Sequence, residues 1–236
     1  MQELKSDSES KSESSESNYF DADKLNKLIC ALLSDDDDIR PAVTSFARFL
    51  KYNDVMYFTI RSMYKLIKER KQQRPDGSIS SLYSLNVATL LTSIKLPNLK
   101  ATDAHEQLAK IKTLCSTSGF RFKYDTVAKM FSSTWTTFLS FSVKKTKFNQ
   151  VFISICLIQK IRQSHIINAT HFCFLTIQNC FEAYKRILAV MDSQILPHFK
   201  DPLSLADFLI NCYNLGGSVA LLSLSSLFLL MTKHSL

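Results

Sequence analysis

From Val219 to Met231 the chain carries no charge and no polar group larger than serine, so this stretch must be buried in protein or in lipid. The residues before it lead a helix into that segment. Pro202 suits a first helical turn, where its missing N–H would have no intrahelical partner. Leu205, Phe208, Leu209 and Cys212 recur at helical spacing and give one apolar face. Gly216 and Gly217 follow, where residues free to take a positive φ can close that helix in a left-handed cap.

Upstream, the same 3.6-residue period recurs. Asp21 to Leu33 predicts a short helix using Leu25, Leu28, Ile29 and Leu32, capped by the acids before it. Asp35 to Asp38 breaks the pattern and reads as a solvated linker; it lacks the spaced ligands and turn glycine of a calcium loop. Pro41 starts another helix, and Asn53-Asp54 caps a longer one running towards Lys71. Its Met56, Ile60, Met63 and Ile67 make one buried stripe. After the turn at Pro75-Asp76-Gly77, helix returns over Leu82 to Ile94. Thr102-Asp103 caps the next, with Leu108, Ile111, Leu114 and Cys115 as its apolar side. Asp125 caps one more, in which Val127, Phe131, Trp135, Phe138 and Leu139 form a wide stripe. Trp135 offers a stacking platform for a base, but an aromatic at this spacing reads first as core. Four glycines and five prolines supply few turns for an all-β fold. One-sided helices on short connections, each needing a neighbour, predict an all-α chain, an α-solenoid of the HEAT or armadillo kind.

Charge divides the chain. Positions 1–38 hold 11 acids and 4 bases, which leaves 25 bases against 10 acids in the rest. Residues 1–20 alternate serine with acid and read as a disordered tail, where serines such as Ser10 suit an acid-directed kinase. A basic body favours a polyanionic partner such as RNA. The densest basic cluster ends the third helix, and Lys68, Arg70, Lys71 and Arg74 are the candidate phosphate contacts; complementing the helix dipole accounts for part of it. The cysteines Cys30, Cys115, Cys156, Cys173, Cys180 and Cys212 are irregularly spaced in apolar patterns and read as small buried hydrophobes in a reducing compartment. The amino terminus lacks the regions of a signal peptide, so the sequon at Asn168 carries little weight.

The order Asp207, Phe208, Leu209, then Tyr213, Asn214, Gly216 and Gly217, then Leu221, Leu222, Leu227 and Phe228 resembles the end of the core domain of the nucleolar complex protein family, also called the CCAAT-binding-factor family. Leu224, Leu229, Leu230, Lys233, His234 and Leu236 extend the match, and Arg48 to Ile67 and SLYSLNVATLLTSIKLP resemble segments upstream of that core. Two departures stand out: Ser225 and Ser226 occupy places where the family usually has Asn-Gly, and Leu236 ends the chain where the family continues into further helices. In the resembled family, the helix bearing Trp135 passes by a short connection to a segment like Tyr184-Lys185-Arg186-Ile187-Leu188, then Leu196-Pro197-His198. Here some 35 residues intervene. The expected organisation is therefore a tail over 1–20, a helical repeat region over 21–141, an insertion over 142–180, from a retained intron or a gene-model error, and the truncated start of the core domain over 181–236.

The resemblance implies a non-enzymatic nucleolar scaffold in small ribosomal subunit biogenesis and pre-rRNA processing, in the nucleus. It would pair with nucleolar protein fourteen and other processome proteins, and touch pre-rRNA. No small-molecule substrate and no cofactor are implied. No glycine-rich phosphate loop or defensible nucleophile arrangement occurs, and His165, His171, Cys173 and Cys180 match no usual zinc spacing. Two other readings stand beside the scaffold. Leu215 to Met231 gives 17 residues without charge, at the lower limit for a membrane anchor, with Lys233 just beyond. Alternatively the chain is a non-functional fragment whose last apolar helix has lost its packing partners.

Overall fold

The computed structural model describes residues 21–74, 79–96, 123–159 and 167–234; for 142–159 and 167–177 it describes the backbone alone. Among the described residues the fold is all-helical, with eight α-helices and no strand. They are α1 (Ala22–Leu32), α2 (Arg40–Ala47), α3 (Asn53–Gln73), α4 (Ser81–Ser93), α5 (Tyr124–Gln159), α6 (Ile167–Val190), α7 (Ala206–Asn214) and α8 (Gly217–His234). A π-helical turn, Met191–Ile195, and two short 3₁₀ turns, Leu196–His198 and Pro202–Leu205, join α6 to α7.

Packing follows from the stripes. In α3, Met56, Ile60, Met63 and Ile67 are all buried, and α3 lies between α1 and α5. In α4 almost every residue from Ser81 to Leu91 is buried, because the helix is flanked by α2 and α6. A third set of contacts runs from α6 to α8, and α7 packs on α8 and touches α5. The aromatic ladder of α5, Phe131 edge-on to Trp135 and Trp135 against Phe138, fills the centre. Trp135 is fully buried, so it is core and no platform for a base. Burial of each such side chain contributes about 1.5–3 kcal/mol.

Several helix boundaries follow the chemistry read from the sequence. Asp21 caps α1, its Oδ1 accepting the Lys24 N–H at 2.9 Å. Ser80 caps α4 by accepting the Tyr83 N–H at 2.9 Å. Gly216 and Gly217 have φ of +77° and +59°, the left-handed pair that reverses the chain between α7 and α8.

Elsewhere the structure corrects the expectation. Asn53 and Asp54 do not precede α3; Tyr52 is the cap and both polar residues are buried in the first turn. Leu28 faces outward while Leu25, Ile29 and Leu32 carry the buried edge of α1, and Cys30 is exposed rather than buried. The aspartate run is not simply a solvated linker. The Arg70 guanidinium donates to Asp35 Oδ2 while stacking 4.3 Å over the Tyr83 ring, and the Ser80 hydroxyl donates to Asp35 Oδ1 at 2.8 Å. Asn86 of α4 donates to the carbonyls of Ser34 (3.0 Å) and Asp37 (2.9 Å), so the run is tied down on two sides.

The largest correction concerns Val219 to Met231. The stretch forms α8, which runs unbroken through Ser225 and Ser226, but only one side of it is buried. That side carries Val219, Ser223, Ser226 and Leu230, while Leu221, Leu224, Phe228 and Met231 are exposed. The small side chains face inward because α8 lies close against α6, α7 and the Met191–Ile195 turn. There Asp192 accepts from the hydroxyls of both Ser225, at 2.6 Å, and Ser226. Among the described residues no helix is long and apolar enough to cross a membrane, so the anchor reading gains no support. The 1–20 tail, the Pro75-Asp76-Gly77 turn, the Thr102-Asp103 helix and His165 lie outside the described residues, as do the side chains of His171 and Cys173.

Candidate nucleic-acid interface

The four basic residues at the end of α3 divide between two faces. Arg70 and Arg74 lie one turn apart; Arg70 turns in to pair with Asp35, and Arg74 at the helix end is exposed. The Arg70 side chain is only 21% exposed, and its ion pair with Asp35 and stacking on Tyr83 make it part of the packing between α3 and α4. Burial works against the charge of Asp35, but the Ser80 hydroxyl and then Arg70 outweigh it and hold the carboxyl below the ordinary aspartate range.

Lys68 and Lys71 occupy the other face and are exposed. The Lys68 ammonium sits 5.8 Å from the Tyr64 ring centroid, and Lys71 Nζ donates to Ser140 Oγ of α5 at 2.9 Å. Among the described ion pairs none involves either lysine.

This face borders a groove of about 1070 Å³. Its lining comes from Tyr64 of α3, the outer face of α5 and the 197–204 turn. The α5 wall carries Lys129, Ser132, Ser133, Thr136 and Thr137. Three of these hydroxyls are spent on their own helix. Ser132 donates to the Lys129 carbonyl (3.0 Å), Thr136 to Ser132 (2.9 Å) and Thr137 to Ser133 (2.8 Å). On the 197–204 turn Lys200 is exposed, and the Tyr124 hydroxyl and His198 Nδ1 hydrogen-bond at 2.8 Å, which fixes the tyrosine ring. Burial, then the charge of Asp125, raises the Tyr124 hydroxyl above its ordinary pKa. Two carboxylates also border the groove: Asp125 in the first turn of α5, and Asp201, whose Oδ1 accepts the Leu203 N–H at 3.2 Å.

Sequence reasoning found the α3 end of this surface and missed the rest. Lys129 and Lys200 lie in distant parts of the chain, and only the packing of α5 beside α3 and the 197–204 turn brings them near one groove. The one usable signal was the hydroxyl run Ser132, Ser133, Thr136, Thr137 on the face of α5 opposite its aromatic stripe.

The residues that carry the family resemblance split in the same way. Phe208 and Leu209 are buried, Leu222 and Leu227 are half-buried, and Gly216 and Gly217 make the reversal. Asp207 and Asn214 are exposed, as are Tyr213 (47%), Leu221 (71%) and Phe228 (64%). With Ile210, Leu224 and Met231 the last three form an apolar strip along α7 and α8.

Comparison with known proteins shows what the chain is similar to. Nucleolar complex protein 4 homolog B of Xenopus laevis is 25% identical over 225 residues, 95% of this chain and 35% of that protein. The chain is similar to nucleolar complex protein 4. The human homolog is 25% identical over 222 residues, 94% of this chain and 35% of its own length. Protein NUCLEOLAR COMPLEX ASSOCIATED 4 of Arabidopsis thaliana is 43% identical over 63 residues, 27% of this chain and 11% of that protein. No family model matches the chain. The chain thus spans about a third of the length of the animal nucleolar complex protein 4 relatives it matches. The likeness agrees with the residue order read above, which within the family points to its fourth member. Among the described residues no group of three His, Cys, Asp or Glu side chains could hold a metal ion.

Proposed function

We propose that the chain works as a non-enzymatic scaffold in the nucleolus, in small ribosomal subunit assembly and pre-rRNA processing. The observation that carries this reading is the similarity to nucleolar complex protein 4 homologs along 95% of the chain. The architecture supports it: α1, α3 and α5 neighbour one another in one row and α2, α4, α6 and α8 in another. Among the described residues, rows of this kind fit an α-solenoid of the HEAT or armadillo kind, whose long surfaces suit the holding of extended partners. Nucleolar protein fourteen and other processome proteins are the partners the family resemblance implies.

In this reading the basic face of α3 contacts pre-rRNA phosphate. Lys68 and Lys71 are the exposed contacts, with Arg74 at the helix end, while Arg70 serves chiefly to hold α3 to the aspartate run. Residues 142–180 remain proposed as an insertion between the helical repeat region, 21–141, and the core-like segment, 181–236. Transcript sequencing across Phe141 to Phe181 tests that division, and its presence in every mature message would remove the retained-intron origin. The scaffold itself is tested by expressing the tagged chain in cells. Nucleolar signal and co-purification of processome proteins are expected, and recovery of none from nuclear extract would count against it.

A further inference from the structure

We infer that the groove between α3, α5 and the 197–204 turn is a track for single-stranded RNA that prefers ribose to deoxyribose. The inference rests on the RNA-contact reading above and adds a location and a chemistry to it.

Two ammonium groups line the track, Lys129 on α5 and Lys200 on the 197–204 turn. Two more stand just outside the lining, Lys68 beside Tyr64 and Lys71 bonded to Ser140 of α5, and none of the four takes part in a described ion pair. Within the lining the lysines are matched by two carboxylates, Asp125 and Asp201, so the excess of positive charge that attracts a polyanion lies at the α3 border, with Lys68 and Lys71. Tyr64 and the tethered Tyr124 add ring surface of the kind on which unpaired bases stack.

The α5 wall decides between kinds of polyanion. Ser132, Thr136 and Thr137 each spend their O–H on a carbonyl of their own helix, so towards the groove their oxygens offer lone pairs. Phosphates and carboxylates are themselves acceptors and gain nothing from such a wall. A ribose 2′-hydroxyl is a donor, and it is the group that distinguishes RNA from DNA. Lysines for the phosphates and inward-bonded hydroxyls for the sugars therefore fit RNA better than DNA or an acidic peptide.

Fluorescence anisotropy on the full chain tests this, with labelled oligouridylate and oligodeoxyuridylate of equal length, which differ only at the 2′ position. The expected result is binding of the ribo form about threefold to tenfold tighter, as one or two net hydrogen bonds give. In S132A/T136V/T137V the ratio should fall to near one with the salt dependence unchanged. In K129Q/K200Q the slope of log K against log salt should fall by about 1.4 for both oligomers, about 0.7 per lysine. Thermal melts of both variants, whose substitutions lie on the outer face, show whether the fold is kept. Equal affinity for the two oligomers overturns the ribose preference. A slope that drops in K68Q/K71Q but not in K129Q/K200Q overturns the groove and leaves RNA contact at α3 standing. Binding to neither oligomer overturns the RNA-contact reading itself, and displacement of RNA by polyglutamate with no effect of S132A/T136V/T137V assigns the groove to an acidic peptide instead.

Discussion

Arg70 and Asp35 provide a measurable separation of stability from binding. Both side chains are less than a third exposed, 21% and 30%, so the pair lies between a surface ion pair, worth at most about 1 kcal/mol, and a buried one. The charge-assisted bond suggests a coupling of about 1–2 kcal/mol in a cycle of Asp35→Asn, Arg70→Gln and the double variant. Asp35→Ala should cost more, about 2–3 kcal/mol, because it also strips the Ser80 hydroxyl of its acceptor. At roughly 2–4 °C per kcal/mol for a chain of this size, that is a fall in Tm of about 4–12 °C. The pH dependence has a fixed sign. The folded carboxyl of Asp35 titrates below its unfolded value, so its contribution is complete above about pH 4 and is lost as pH falls through the lower folded value. Urea titrations of the four proteins at pH 7 and pH 3 measure this, with oligouridylate salt slopes on the same samples. Coupling below about 0.3 kcal/mol at pH 7, or coupling undiminished at pH 3, refutes the pairing. A slope reduced by Arg70→Gln as strongly as by Lys68→Gln refutes the division of the basic cluster into two faces.

Gly216→Ala should destabilise by about 1–2 kcal/mol in urea unfolding, wholly through backbone strain at φ +77°, since no atom lies within 4 Å of an added Cβ. Thiol labelling of the native chain at pH 8, read by peptide mass mapping, should modify the exposed Cys30 and spare Cys212, which is buried and whose pKa burial pushes up to about 12. Leu221→Glu and Phe228→Glu should lower binding of a hydrophobic dye while changing Tm by less than about 2 °C, because both residues are exposed. A larger Tm loss in either would mean that α8 is held through its outer side.

Much of the helical pattern was legible because each stripe is a local signal. Met56, Ile60, Met63 and Ile67 lie on one edge of α3 whatever packs there, and Gly216-Gly217 announces its own backbone. What stayed hidden depends on neighbours. Hydropathy placed all of Val219 to Met231 in an interior, yet the close approach of α8 to the 191–195 turn selects serine for the inner side and leaves leucine and phenylalanine outside. Asp35 looked like one more solvated acid because its partners, Arg70 and Ser80, come from later helices. The groove needed three elements at once. Only its α3 border, where the bases cluster within one stretch of sequence, showed beforehand.

Arg70 and Ser80 stand on either side of residues 75–78, and one carboxylate grips them both. The two ends of that connection are therefore joined by something other than the peptide between them. Lengthening it adds only the entropy of closing a larger ring, about 0.6 kcal/mol for each doubling. A reporter peptide or an affinity tag spliced between Arg74 and Ile79 would ride on a clasp that is already shut, leaving both termini free for other labels.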